Sequence, residues 1–177
     1  MYPYLRMFKE MWKYRRAPKL GLFDTHVSHH MCLPQDIDPW MELNNGRTLT
    51  LYDLGRLPMA RRMGFERLGR EQGWGMTVAG ASTRYRRRVR TFDRFEMRSR
   101  IIGWDARFLY MDQSMWRGAD CTSQMLLRSA VASKEGIVPP EKVLRAMGLP
   151  VESPPLPEWV QAWSAADALR PWPPVAA

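Results

Sequence analysis

Cysteine is scarce: Cys32 and Cys121 are the only two in 177 residues, too few for a disulfide framework. No apolar run approaches the roughly 20 residues that cross a bilayer, and no short hydrophobic stretch with a small-residue cleavage site opens the chain. Together these absences predict a chain that works in the reducing cytoplasm. Nucleotide-phosphate loops are missing too, since neither G-x-G-x-x-G nor a P-loop spacing occurs. There is no G-x-S-x-G elbow, and the serines fall in strand-like runs, so a serine triad has no support. Histidine is limited to His26, His29 and His30. Alternate residues of a strand share a face, so only His30 with Cys32, or His26 alone, could join one ion. No metal site is expected from them.

Acid is the last shortage. Eighteen carboxylates face 27 lysines and arginines, a formal charge of +9 that invites a polyanion. Eight of the arginines fall in "RYRRRVRTFDRFEMRSR", residues 84–100, and their planar forks suit phosphates better than lysine does. Nucleic acid, anionic lipid and a phosphorylated small ligand could each answer; so could a solvated strand edge whose charges discourage aggregation. Nucleic acid ranks lowest, because exposed aromatic platforms among these arginines are limited to Tyr85 and Phe92.

What is present reads as one domain with tails. Residues 1–24 place Tyr4, Phe8, Met11 and Trp12 at helical spacing among Arg6, Lys9, Lys13, Arg15 and Arg16. That is a basic amphipathic helix, either docked on the body of the fold, or in contact with a partner, or in peripheral contact with a membrane through residues 1–18. Residues 25–136 form the main domain. A strand near "THVSHHMC" leads through the loop "LPQDIDPWMEL" to a helix capped by Asn44 or Asn45 and ending near Gly64, with Pro58 predicting a kink or a fresh start. Four strand-like runs follow, at 76–89, 95–104, 107–117 and 122–133, with "GWD" and "RGADC" as tight connections. One strand, one long helix, then an unbroken antiparallel series is an α+β signature. Residues 137–177 are a Pro-rich extension holding nine of the fourteen prolines, with short helices in "PPEKVLRAMG" and "LPEWVQAWSAADAL".

The densest cluster of chemistry is "QDIDPWMELNNGR", residues 35–47. A carboxylate beside a helix N-terminus meets unpaired backbone amides and a partial positive charge that favour a developing oxyanion. Asp36 and Asp38 could equally do no more than cap turns.

The run "DIDPWMELNNGRTLTLYDLGR" resembles the D-x-D-x-x-G-H-x-N-N-x-x-Y-L-x-x-x-E-x-A-R signature of hotdog-fold acyl-CoA thioesterases of the 4-hydroxybenzoyl-CoA thioesterase type. "GWGMTVAGASTRYRRRV", "RFEMRSRIIGWDARFLYMDQSM" and "VESPPLPEWVQAW" are similar to the branch that holds thioesterase superfamily member six and its bacterial relatives. The resemblance spans roughly residues 25–165 in independent segments that agree. It implies a long central helix wrapped by a curved antiparallel five-stranded sheet, and a homodimer or dimer of dimers with sites between subunits. It implies acyl-CoA as substrate and no cofactor. The second acid of D-x-D maps to Asp38, as nucleophile or general base, with backbone amides near Asn45 and Gly46 holding the thioester oxygen. Asp53 matches the helix acid that other hotdog enzymes use; an ion pair to Arg56 is its structural alternative. Arg84, Arg86, Arg87 and Arg88 become candidates for the coenzyme phosphates. The chain departs from the pattern where Met41 and Glu42 replace Gly-His and Thr48 replaces Tyr. The first pair changes the backbone freedom of the loop and exchanges an imidazole for a carboxylate. A non-catalytic acyl-CoA or lipid-binding protein therefore stays open beside the hydrolase.

Overall fold

The computed structural model describes residues 2–174. Its elements are α1 (Tyr4–Lys13), β1 (His26–Met31), α2 (Asn45–Met63), α3 (Phe65–Gln72), β2 (Gly75–Tyr85), β3 (Arg94–Trp104), β4 (Leu109–Arg117), β5 (Asp120–Ser133), β6 (Gly136–Val138), α4 (Pro140–Ala146) and α5 (Glu158–Ala168). The strands make one antiparallel sheet in the order β1-β3-β4-β5-β2. β6 is a short sixth strand beyond the expected five, paired with the end of β5.

Helix α2 lies on the concave face. Leu51, Tyr52, Leu54 and Met59 are fully buried there, packed with Met97, Ile101, Met111, Met115 and Met125 of the sheet. β3 alternates buried and exposed residues along Phe95, Met97, Ser99 and Ile101, as a half-buried strand should. Register shifts at Val78/Gly80 and Ile101/Gly103 are bulges, which bend strands and raise local twist. The result is the long helix wrapped by a curved sheet that the resemblance implies. Buried Gln113 ties the layers together: its Nε2 donates to the Tyr52 carbonyl at 3.0 Å and to Ser99 Oγ at 2.8 Å.

Three local expectations need correction. Pro58 does not start a fresh helix; α2 runs through it to a left-handed cap at Gly64. Leu54, Gly55, Pro58 and Met59 are buried on one side of it, and that packing outweighs one missing backbone donor. A separate helix, α3, then occupies residues read as the tail of the pattern. "GWD" makes the turn only through its last residue: Gly103 and Trp104 end β3, as in the expected run 95–104, and Asp105 turns the chain by accepting from the amides of Arg107 and Phe108, both at 2.7 Å.

Gly103 adopts φ 145°, and a Cβ there would lie 2.8 Å from Leu156 and 2.9 Å from Ser153. The position therefore serves the C-terminal segment, which crosses the outer face of the sheet. Ser153 Oγ accepts the Trp104 amide at 2.9 Å, and Trp104 Nε1 donates to the Val151 carbonyl at 3.2 Å. Val160 of α5 is fully buried with Tyr110 and Leu126 on that face, and such burial contributes roughly 1.5–3 kcal/mol per large aliphatic side chain.

Helix α1 is docked, though not by the stripe its spacing suggested. Glu10 is buried and Met7 and Met11 are half-buried toward the body, while Tyr4, Phe8 and Trp12 face solvent. Arg61 donates to the Met11 carbonyl from α2, and Tyr14 reaches the Val27 carbonyl of β1.

Candidate functional site

The loop between β1 and α2 has a fixed foot and an exposed tip. At the foot, a short 3-10 turn (Pro34–Asp36) buries Asp36 completely. Its carboxylate accepts the Leu33 amide at 3.0 Å, Arg6 Nη1 at 2.6 Å and Arg47 Nε at 2.7 Å. Burial alone would raise its pKa; the Leu33 amide and the two guanidinium groups hold it below the usual carboxylate range. The Asn44 amide donates back to the Asp36 carbonyl at 3.0 Å, so the foot clamps both ends of the loop.

The tip is closed by a bridge between Ile37 and Leu43. The Asp38 amide donates to the Glu42 carbonyl at 2.9 Å, and the Met41 amide to the Asp38 carbonyl at 3.0 Å. Oδ1 of half-buried Asp38 accepts the Trp40 amide at 2.9 Å and, at the longer distance of 3.5 Å, that of Glu42. Its Oδ2 has no partner among the described residues. Met41 has φ 59°. The loop thus keeps a left-handed backbone at the place where the resembling pattern has glycine, with the strain a larger side chain brings there.

Helix α2 begins at the end of this loop. Asn44 is the cap, its Oδ1 accepting the Arg47 amide at 3.0 Å, while the Thr48 amide takes the Asn44 carbonyl at 2.8 Å. That leaves the amides of Asn45 and Gly46 without an acceptor among the described residues, at the positive end of a 19-residue helix. Tyr85, the last residue of β2, donates its hydroxyl to the Asn45 carbonyl at 3.1 Å.

Beyond Tyr85 the arginines leave the strand, earlier than the expected boundary at 89. The amides of Arg86 and Arg87 donate to the Thr122 carbonyl at 2.8 and 3.1 Å, and Leu43 takes the Val89 carbonyl, drawing this segment over the helix start. A cleft of about 190 Å³ opens there, lined by Glu42, Asn45, Tyr85 and Arg86–Arg88, with Thr48, Thr122 and Ser123 behind them. Glu42 pairs with Arg88 at 2.8 Å. Among the described residues, Arg84, Arg86 and Arg87 have no carboxylate partner.

Of the residues singled out by sequence, Glu42, Asn45, Arg86, Arg87 and Arg88 meet in one cleft. Asp38 and Gly46 flank it without lining it. Arg84 of β2 lies opposite Gln124 of β5, one residue from Tyr85 and so directed to the other face. Asp53 lies elsewhere: it is ion-paired with Arg56, the i,i+3 alternative, and burial, then the charge of this carboxylate, pushes the Tyr2 hydroxyl up to about 12. His26 and His30 face the interior, beside Arg62 and Ser28 respectively. Thr122 and Ser123 were not singled out as site residues by sequence, because tertiary pairing brings them there: Ser123 lies opposite Tyr85 and bonds the Tyr52 hydroxyl, and the Thr122 carbonyl accepts the Arg86 and Arg87 amides. Tyr85 was legible as an aromatic inside the arginine run, but its contact to Asn45 was not.

A family model described as the thioesterase-like superfamily matches residues 32–164. Protein THEM6 of Xenopus laevis is 31% identical over 145 residues, covering 80% of this chain and 68% of that protein. YbaW of Escherichia coli shares the fold at a TM-score of 0.64 and 14% identity, over 68% of this chain and 93% of that one. A gentisyl-coenzyme A thioesterase, BH1999, superposes at a TM-score of 0.59 and 13% identity, over 66% and 98%. The sheet-wrapped helix and a family match that runs from the site loop into α5 agree, and the chain belongs to the thioesterase-like superfamily.

Proposed function

We propose that the protein hydrolyses acyl-CoA thioesters, with Asp38 as the reacting carboxylate and the amides of Asn45 and Gly46 as the oxyanion site. The observation that carries this reading is the pair of amides at the helix start without an acceptor among the described residues, at the end of a loop whose acid has one oxygen anchored and the other free. Anchoring Oδ1 on the Trp40 amide orients the carboxylate without neutralising it, and Oδ2 is then available to a substrate. It attacks the thioester carbon, or takes a proton from a water that does; negative charge collects on the carbonyl oxygen, where the two amides and the helix dipole stabilise it. Collapse of that intermediate expels the coenzyme thiolate; the water route leaves the free acid at once, and the nucleophile route leaves a mixed anhydride on Asp38 that a water then cleaves to free acid and the restored carboxylate. Arg86 and Arg87 are free to meet the coenzyme phosphates, which planar guanidinium groups grip well.

The cleft of about 190 Å³ is smaller than the roughly 300–1,000 Å³ of typical ligand sites. We infer that a second copy completes it. The edge strand β2 supports this, since it is exposed along nearly its whole length, carries Met76 and Val78 outward, and has the unpaired backbone edge that invites another strand.

The test is thiol release from a chain-length series of acyl-CoAs, with Asp38→Asn alongside. Loss of the carboxylate should lower the rate by about 10²–10⁴-fold. Equal, background rates for the two proteins would refute hydrolysis. Saturable acyl-CoA binding in that case would support the second reading, a binding protein, which the Glu42–Arg88 pair favours by placing a closed ion pair where the family pattern has histidine.

A further inference from the structure

Among the described residues, the ring contacts to the outward side of α1 are local ones, Tyr2 beside Tyr4 and the Arg15 guanidinium 3.9 Å over the Trp12 ring. Tyr4, Leu5, Phe8 and Trp12 are 58%, 88%, 61% and 65% exposed, and at roughly 100° per residue they fall within an arc of about 100°. Lys9 and Lys13 are exposed beside that arc, and Arg15, Arg16 and Lys19 are exposed just beyond the helix. Glu10, the one acid in α1, is turned inward and 3% exposed. The outer side of the helix therefore offers bulky apolar groups and positive charge, with no exposed acid.

We infer that α1 docks this protein on an anionic bilayer surface, with Tyr4, Leu5, Phe8 and Trp12 entering the headgroup boundary and the flanking lysines and arginines meeting lipid phosphates. Charge selects the lipid over a second copy. Two α1 helices packed face to face would bring their lysines together with no exposed carboxylate to answer them, whereas an anionic surface answers every one. No helix among the described residues is long and apolar enough to cross a membrane, so α1 lies along the surface. It is firmly held to the body: Arg6 reaches Asp36 at 2.6 Å and the Met31 carbonyl at 2.8 Å, and Arg61 holds the Met11 carbonyl. Docking through α1 thus orients the whole domain, and through Arg6 the foot of the Asp38 loop, relative to the lipid.

Flotation of the full chain with vesicles tests this. Binding is expected to phosphatidylcholine vesicles that contain phosphatidylglycerol, weaker binding to phosphatidylcholine alone, and loss as salt is raised. Phe8→Ser with Trp12→Ser should lower partitioning at least about tenfold at an unchanged melting temperature, because both side chains are exposed. Lys9→Gln and Lys13→Gln should each lower it roughly fivefold. Three results would overturn the inference: no binding to phosphatidylglycerol vesicles at low salt, binding indifferent to the Phe8/Trp12 pair, or light scattering in which that pair splits a dimer and so assigns the face to a second copy.

Discussion

The foot and the tip of the β1–α2 loop carry the same residue type two positions apart, yet they are opposite environments. Asp36 is sealed from water and shared between two guanidinium groups from distant parts of the chain. Asp38 is half-buried, bonded among the described residues only to its own turn, and followed by exposed Trp40 and Met41. Rigidity is concentrated at the foot, and the tip is free to hold a strained backbone and an incompletely satisfied carboxylate. One acid builds the loop, and the other is the one we propose for chemistry.

The largest effect should come from erasing that division at the foot. Asp36→Asn leaves Arg6 and Arg47 without their shared counter-charge in a nearly dry setting, and breaking a buried pair destabilises by about 3–5 kcal/mol. The two arginines keep slight contact with water, so about 3 kcal/mol is expected from urea denaturation. Asp38→Asn should shift stability by less than about 1 kcal/mol. Equal losses from the two variants would break the distinction.

Acid provides a graded version of the same experiment. Burial first, then Arg6 and neighbouring lysines, depresses His30 to about 3; burial, then Arg62, depresses His26 to about 4. Both are buried and neutral in the fold, and each would take a proton near pH 6.5 once unfolded. Their contribution is therefore intact above pH 6.5 and drains away as pH falls toward the folded values, at about 1.4 kcal/mol per pH unit for each histidine. Asp36, whose folded pKa is lowered, adds its own loss only below the ordinary carboxylate range. Urea midpoints should drop between pH 7 and pH 5.5 from the histidines alone. A flat profile across that window would contradict it.

Much of this frame was legible in the chain because it is local. Asn44 before the helix, Gly64 after it, and the alternation along 94–101 each act on their own neighbours. What stayed hidden depends on tertiary partners. Asp36 and Asp38 are indistinguishable in "DID" until Arg6, 30 residues upstream, is folded against the first. Gly103 reads as a turn until the segment around Ser153 presses on it. The outward face of α1 could not be told from an inward one, since both faces of that helix carry large apolar groups.

On the arginine side of the cleft, the unpaired cations should matter less than the acid and in a different parameter. Arg86→Ser or Arg87→Ser should raise KM for acyl-CoA by about tenfold each, the worth of one charged hydrogen bond, with kcat nearly unchanged. The same variants should treat an acyl-pantetheine, which lacks the coenzyme's phosphates, as the unsubstituted protein does. Equal penalties on both substrates would move these arginines from phosphate recognition to scaffolding.

The smallest effect probes the tip from the stability side. Met41 holds φ 59°, a conformation that opposes a side chain by about 1–3 kcal/mol, while glycine in its place enlarges the unfolded ensemble by about 0.4–1 kcal/mol. The balance favours Met41→Gly by about 1 kcal/mol, read as a higher urea midpoint with unchanged slope. Because Met41 is 66% exposed, little packing is lost to confuse the sign. A destabilised variant would mean that the methionine makes a contact outside this chain, and the second copy proposed to complete the cleft would be the first place to look for it.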